Sequence, residues 1–136
     1  MVHTMDRKQV LILDNLRLID GTGRVWERAV IRIEDDRIAA VSKPQTAPGD
    51  AQVLDLGGRT VMPGLINCHA HLCLDGSPDP HAIWAWRSLT ENVLVTARQA
   101  ERTLQAGITT VRDLGGCDGV DLGLKKAIGD GLVAGP

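Results

Sequence analysis

From Leu65 onward the chain alternates strand-like and helix-like patterns, and this alternation limits the fold more than any other feature. Leu65 to His69 is a short apolar run that follows Pro63-Gly64. Residues 88–106, SLTENVLVTARQAERTLQA, carry a helical period, with Leu89, Val93, Ala97, Ala100 and Leu104 on one face. Ser88 and Glu91 have the spacing of a capping box, a start nearer Trp84 is the alternative, and Gly107 is placed to stop the helix. Ile108 to Leu114, ITTVRDL, is rich in β-branched residues and reads as a second strand; Val120 to Ile128 gives a shorter helix. Strand, helix, strand, helix implies parallel strands joined by crossovers, with the helices packed outside. A third strand is due where the sequence stops at Pro136, so the segment is expected to open a larger, here truncated, parallel α/β architecture.

Residues 10–56 have a different texture, that of a β meander. VLILDN and LRLID are expected as two short strands, with Asp20 to Gly23 (DGTG) as a turn. Val30 to Ile33 and Arg37 to Val41 read as strands joined through Glu34-Asp35-Asp36, Lys43 to Ala51 as a loop, and VLDLGG as another short strand. No Gly-rich helix start follows either DGTG or DLGG, so both are turns rather than phosphate loops.

Composition narrows the partners. The chain has three Trp, no Phe and no Tyr, so any core is aliphatic, and binding of single-stranded nucleic acid by stacked aromatics is disfavoured. Fifteen basic and seventeen acidic residues are interspersed for a net charge of −2, which gives no basic surface for nucleic acid. No apolar run approaches a membrane span, and MVHTMDRKQ lacks the apolar region of a secretory leader. Three cysteines without framework spacing suit reduced thiols, so the expected location is the cytoplasm.

Within TVMPGLINCHAHLCL, two of the chain's four histidines, His69 and His71, stand one residue apart at a strand end. Alternate strand residues share a face, so both imidazoles project to one side, with Ala70 on the other. Two neutral imidazoles can converge on a zinc or similar divalent ion, and strand C-terminal ends are where parallel α/β proteins place active sites. The bland alternative is a hydrogen-bonded, inert pair. Cys68 and Cys73 flank the same histidines, but there is no C-x-x-C pair, and alternation turns Cys68 away from them. Arg112 and Asp113 end the second strand; a solvated ion pair competes there with contact to substrate or support of a metal. Asp75 and Asp79 are expected to serve the turn, His81 to be exposed, and Trp84 and Trp86 to pack the helix. Cys117 has no sequence neighbour that would lower its pKa and carries no assignment.

The segment VMPGLINCHAHL resembles the opening barrel strand of the amidohydrolase superfamily, apolar-P-G-[LF]-[IV]-[DN]-x-H-x-H, and Asn67 stands where many members carry Asp. TLQAGITTVRDLGG resembles the first helix end and second strand of its imidazolonepropionase-like and Xaa-Pro dipeptidase (prolidase)-like branch. The resemblance implies an N-terminal part of a composite β-sandwich over residues 1–60, then the first βα units of a (β/α)₈ TIM barrel over 61–136. A full barrel takes about 250 residues. It implies one or two divalent metals, usually zinc, with His69 and His71 as the first two ligands. The remaining ligands (a carboxylated lysine or glutamate, two histidines and an aspartate) belong to later strands. The implied chemistry is hydrolysis of a C–N bond in a small amide, cyclic amide or dipeptide-like substrate by metal-activated water, with the later aspartate moving the proton. The competing function is a non-catalytic remnant or binding module that keeps the sandwich and half a metal site.

Overall fold

The computed structural model describes residues 9–49, 51–116 and 118–136. The chain divides at Pro63/Gly64 into two compact units. In the first, β1 (Val10–Ile19), β2 (Val25–Glu34) and β3 (Arg37–Ser42) form an antiparallel meander, while β4 (Gln52–Asp55) and β5 (Thr60–Val61) both return parallel to β1. The meander expected from the sequence therefore covers three strands, and the later ones add to the far side of β1.

VLILDN and LRLID are one bulged strand rather than two. The register of β1 against β2 slips between Leu13 and Leu16, and Asn15 sits there at φ 52°, a backbone region Asn tolerates better than most residues. On the other side of β1, Leu11–Asp14 pair with β4 and Arg17–Leu18 with β5. The connection between β4 and β5 wraps Asn15: Gly58 N donates to Asn15 O at 2.7 Å, and Asn15 Nδ2 donates to Asp55 Oδ1 at 2.8 Å. Asp14-Asn15 is thus the point where one strand changes partners. Leu16, Leu18, Ala29 and Ile31 form the core of this unit, with Trp26 and Val61 packed against them.

The DGTG turn closes around Asp20. Its Oδ1 accepts from Thr22 Oγ1 (2.7 Å) and Thr22 N (2.9 Å), and its Oδ2 from Trp26 Nε1 (3.1 Å). These donors, the Thr22 hydroxyl first, lower the Asp20 pKa from 3.8 to about 2. The folded state therefore favours the charged form. The resulting stability is complete above the unfolded pKa and is lost as pH falls towards 2. In a melting series from pH 5 to pH 2, Asp20→Asn should lose less stability than the parent. An Asp20 carboxyl that titrates near 4 by NMR would contradict this.

In the second unit, β6 (Leu65–Ala70) and β7 (Ile108–Asp113) are parallel, joined by α1 (Pro80–Trp86) and α2 (Leu89–Gln105), and α3 (Val120–Gly129) follows. The barrel itself is not seen; two parallel strands with their helices are. α2 starts where its capping box places it: Ser88 Oγ accepts from Glu91 N at 3.3 Å, and Glu91 Oε2 accepts from Ser88 N at 2.8 Å. Trp84 lies in a separate short helix. Gly107, at φ 86°, ends α2.

The buried side of α2 differs from the apolar stripe. Asn92, Thr96 and Ala100 are buried, whereas Leu89 and Val93 are exposed. Asn92 Nδ2 donates to Trp84 O at 3.0 Å and Thr96 Oγ1 to Asn92 O at 2.8 Å, which offsets much of the cost of burying the pair, while Asn92 Oδ1 is buried without a partner. Ala100 packs with Leu72 and Leu124, and Trp84 with Cys73 and Val120. Trp86 is 90% exposed, so of the two tryptophans expected to pack, only Trp84 does. No helix among the described residues is long and apolar enough to cross a membrane.

Candidate metal centre

His69 is the next-to-last residue of β6 and His71 the first beyond it. Both are exposed, their ring centroids lie 5.5 Å apart and the ring planes cross at 70°. At Zn–N distances of about 2.0–2.1 Å, a tetrahedral ion would hold two imidazole centroids roughly 5 Å apart. The observed centroid spacing is close to that value.

The backbone beneath the pair is not a regular strand. From Asn67 to Ala70, β6 advances three residues while β7 advances two, from Val111 to Asp113. An extra residue in one strand is a bulge, which bends the strand and re-aims side chains. In this step Asn67 Oδ1 accepts from the His69 N–H at 3.1 Å. An aspartate oxygen could accept the same bond, so Asn67 fills the role that Asp would have. Asn67→Asp should thus melt within a degree or two of the parent, whereas Asn67→Leu removes the acceptor and should cost about 1 kcal/mol. Equal melting of all three would contradict this account. Simple alternation fails inside the bulge, so it no longer fixes the direction of Cys68, which is exposed. Cys73 is buried beside Trp84 and Val120.

His71 is anchored from the other strand. Its Nδ1 lies 2.9 Å from Gly115 O. A carbonyl oxygen only accepts, so Nδ1 carries the proton, and in the neutral ring Nε2 keeps its lone pair. Asp113 makes no ion pair with Arg112. Instead its Oδ2 accepts from Leu72 N at 3.1 Å and its Oδ1 from Gly115 N at 3.0 Å. Neighbouring strand residues point to opposite faces, which separates the two charges. Arg112 lines a groove of about 490 Å³ with Asp121, Leu124 and Lys125. The Asp-x-Gly spacing at the end of β7 is a local signal for the bond to Gly115; the bond to Leu72 had none.

The loop after β6 behaves as expected. Asp75 accepts from Ser77 N (3.2 Å) and Arg87 Nη2 (2.9 Å), Asp79 caps α1 by accepting from Ala82 N (3.1 Å), and His81 is exposed. Cys117 lies outside the described residues. Among those described, no group of three or more His, Cys, Asp or Glu gathers as a metal cage.

A sequence profile described as the Amidohydrolase family matches residues 60–136, more than half of the chain. The chain belongs to the amidohydrolase family. Within it, the chain is 42% identical over 67 residues to an N-acyl-D-glutamate deacylase of Alcaligenes xylosoxydans xylosoxydans, covering 49% of this chain and 14% of that protein. It is 37% identical over 71 residues to an imidazolonepropionase of Micrococcus luteus, covering 51% and 18%. A crystal structure of a prolidase complexed with N-methylphosphonate-L-proline superposes with a TM-score of 0.80 at 29% identity, covering 94% of this chain and 30% of that one. The chain thus spans less than a third of the length of each of these proteins. The resemblance to the imidazolonepropionase-like and prolidase-like amidohydrolases read from VMPGLINCHAHL and TLQAGITTVRDLGG agrees with these relatives.

Proposed function

We propose that this chain is the N-terminal portion of a metal-dependent amidohydrolase that cleaves a C–N bond in a small amide, cyclic amide or dipeptide-like substrate. The observation that carries this reading is the exposed imidazole pair 5.5 Å apart at the end of β6, in a chain of this family. The names of the relatives, a deacylase, an imidazolonepropionase and a dihydroorotase, support the bond class. In the proposal, residues 1–60 contribute to the composite β-sandwich and residues 61–136 begin the barrel. The protein acts in the cytoplasm and needs neither nucleic acid nor membrane.

His69 and His71 would hold one divalent ion, zinc in first place, in a site of one or two ions. Both ligands are neutral, so the ion keeps its positive charge. When bound, the ion polarises the scissile carbonyl and activates water. His71 serves as an Nε2 donor because its Nδ1 proton is committed to Gly115 O. Asn67 holds the bulge that aims His69. A catalytic zinc normally has three protein ligands plus water, so the pair needs partners from the longer polypeptide, and the 136-residue chain alone should hydrolyse nothing.

Two measurements test this. Metal analysis and Co(II) spectra of the longer polypeptide should show bound metal that chelators remove. Assays with N-acyl amino acids, dipeptides and cyclic amides should show turnover that disappears with the metal. Tight metal binding without any such turnover would favour a binding module. Turnover that survives full chelation would overturn the proposal.

A further inference from the structure

Between His71 and the end of β7 runs a chain of contacts that belongs to neither strand's ladder. Where β6 ends, Leu72 presents an N–H. Where β7 ends, Gly115 presents another. The single carboxylate of Asp113 accepts both, at 3.1 Å through Oδ2 and 3.0 Å through Oδ1. Leu114 N donates back to Ala70 O at 2.9 Å, so the two strand ends are tied in both directions. Gly115 then offers its carbonyl to His71 Nδ1 at 2.9 Å. Gly115 sits at φ 123°, a conformation L side chains rarely adopt, so the loop that returns this carbonyl depends on glycine.

We infer that Asp113 is a positioning residue for His71: through the backbone of Gly115 it fixes the imidazole as the Nδ1–H tautomer and leaves Nε2 aimed for a ligand. The inference deepens the proposed function and rests on it for the identity of the ligand, a divalent metal. The carboxylate is required because both of its contacts are donors. A carboxamide has one acceptor oxygen and would turn an NH₂ against one of the two N–H groups. Partners of this kind orient metal-bound histidines generally, and their loss typically costs 10–100-fold in affinity.

The test reads the ring before it reads the metal. In metal-free protein at neutral pH, two-bond ¹H–¹⁵N correlation should show His71 as the Nδ1–H tautomer. Asp113→Asn should give a mixture of tautomers at His71, leave the pattern of His69 unchanged, and weaken Co(II) binding 10–100-fold. Gly115→Ala, which leaves the carboxylate in place, should disturb His71 in the same way. Three results overturn the inference: an Nε2–H tautomer in the parent protein, which holds whether or not a variant folds; an unchanged His71 spectrum in Asp113→Asn; or Co(II) affinity within twofold of the parent. A parent protein that binds no Co(II), yet shows the Nδ1–H ring and its loss in Asp113→Asn, would remove the metal from the proposed function while leaving the positioning role in place.

Discussion

If His69 and His71 hold the proposed ion, replacing either by alanine should lower the affinity of the protein for Zn(II) or Co(II) by about 100-fold, with little change in the fold. Structural zinc sites release about 10–16 kcal/mol over four ligands, or roughly 3 kcal/mol for each. At about 1.4 kcal/mol per tenfold, one lost ligand corresponds to the stated factor. Two ligands alone would then give about 5–8 kcal/mol, a dissociation constant of roughly 10⁻⁴ to 10⁻⁶ M for the 136-residue chain. The fold should tolerate the changes because both rings are exposed, and exposed substitutions usually fall within about 0.5 kcal/mol. His71→Ala should cost somewhat more than His69→Ala, since it also forfeits the Gly115 bond. Calorimetric titration and thermal melts on the two variants separate these terms. Unchanged affinity in both variants would place the metal elsewhere. A large loss of stability in His69→Ala would mark that ring as structural.

The bulge from Asn67 to Ala70 breaks the period of two and was not legible, but the nearness of His69 and His71 at a strand end was, because it is local in sequence. Ser88 and Glu91 were legible for the same reason: a capping box is written within four residues. What escaped the sequence depends on partners far along the chain. Asp14-Asn15 ends the first of two expected short strands, but Asp55 and Gly58 fold around Asn15 and make it a bulge inside one continuous strand. Asn92 looks like a solvent-facing residue of α2, but in the interior its Nδ2 donates to the carbonyl of Trp84 in the preceding helix. The apolar stripe consequently holds only in its C-terminal half, where Ala100 is buried and Ala97 packs beside it, while Leu89 and Val93 are exposed. Asp113 read as half of a surface ion pair because Arg112 is its neighbour in sequence. Its actual partner in β6's wake, Leu72, is 41 residues away. Most of these missed contacts use a backbone group, which has no sequence signature of its own.

Pro63-Gly64 marks the boundary of the texture change in the sequence, and its glycine has a steric duty that yields the second large expected effect. A Cβ built on Gly64 would run into Thr109, against its Oγ1 and Cγ2, and would lie 2.6 Å from its Cβ. Thr109 cannot rotate out of the way, because its own Cβ is fixed by the backbone of β7. Nor can β7 yield easily: Leu65 N donates to Gly107 O at 2.9 Å, and the register slips there, from Leu65↔Ile108 to Ile66↔Thr110. Gly64→Ala must therefore spread the only two strands described in this unit, at a cost of about 3 kcal/mol. For a unit of this size that is a fall in melting temperature of more than about 10 °C. Thr109→Ala should not rescue it, since the offending Cβ remains, whereas Thr109→Gly should recover a substantial part. The spread also moves the strand that carries His69, so metal affinity should fall together with stability. If Gly64→Ala melted within about 2 °C of the parent, the close approach of β6 and β7 at their first residues would be disproved, and with it the strand geometry on which the imidazole pair stands.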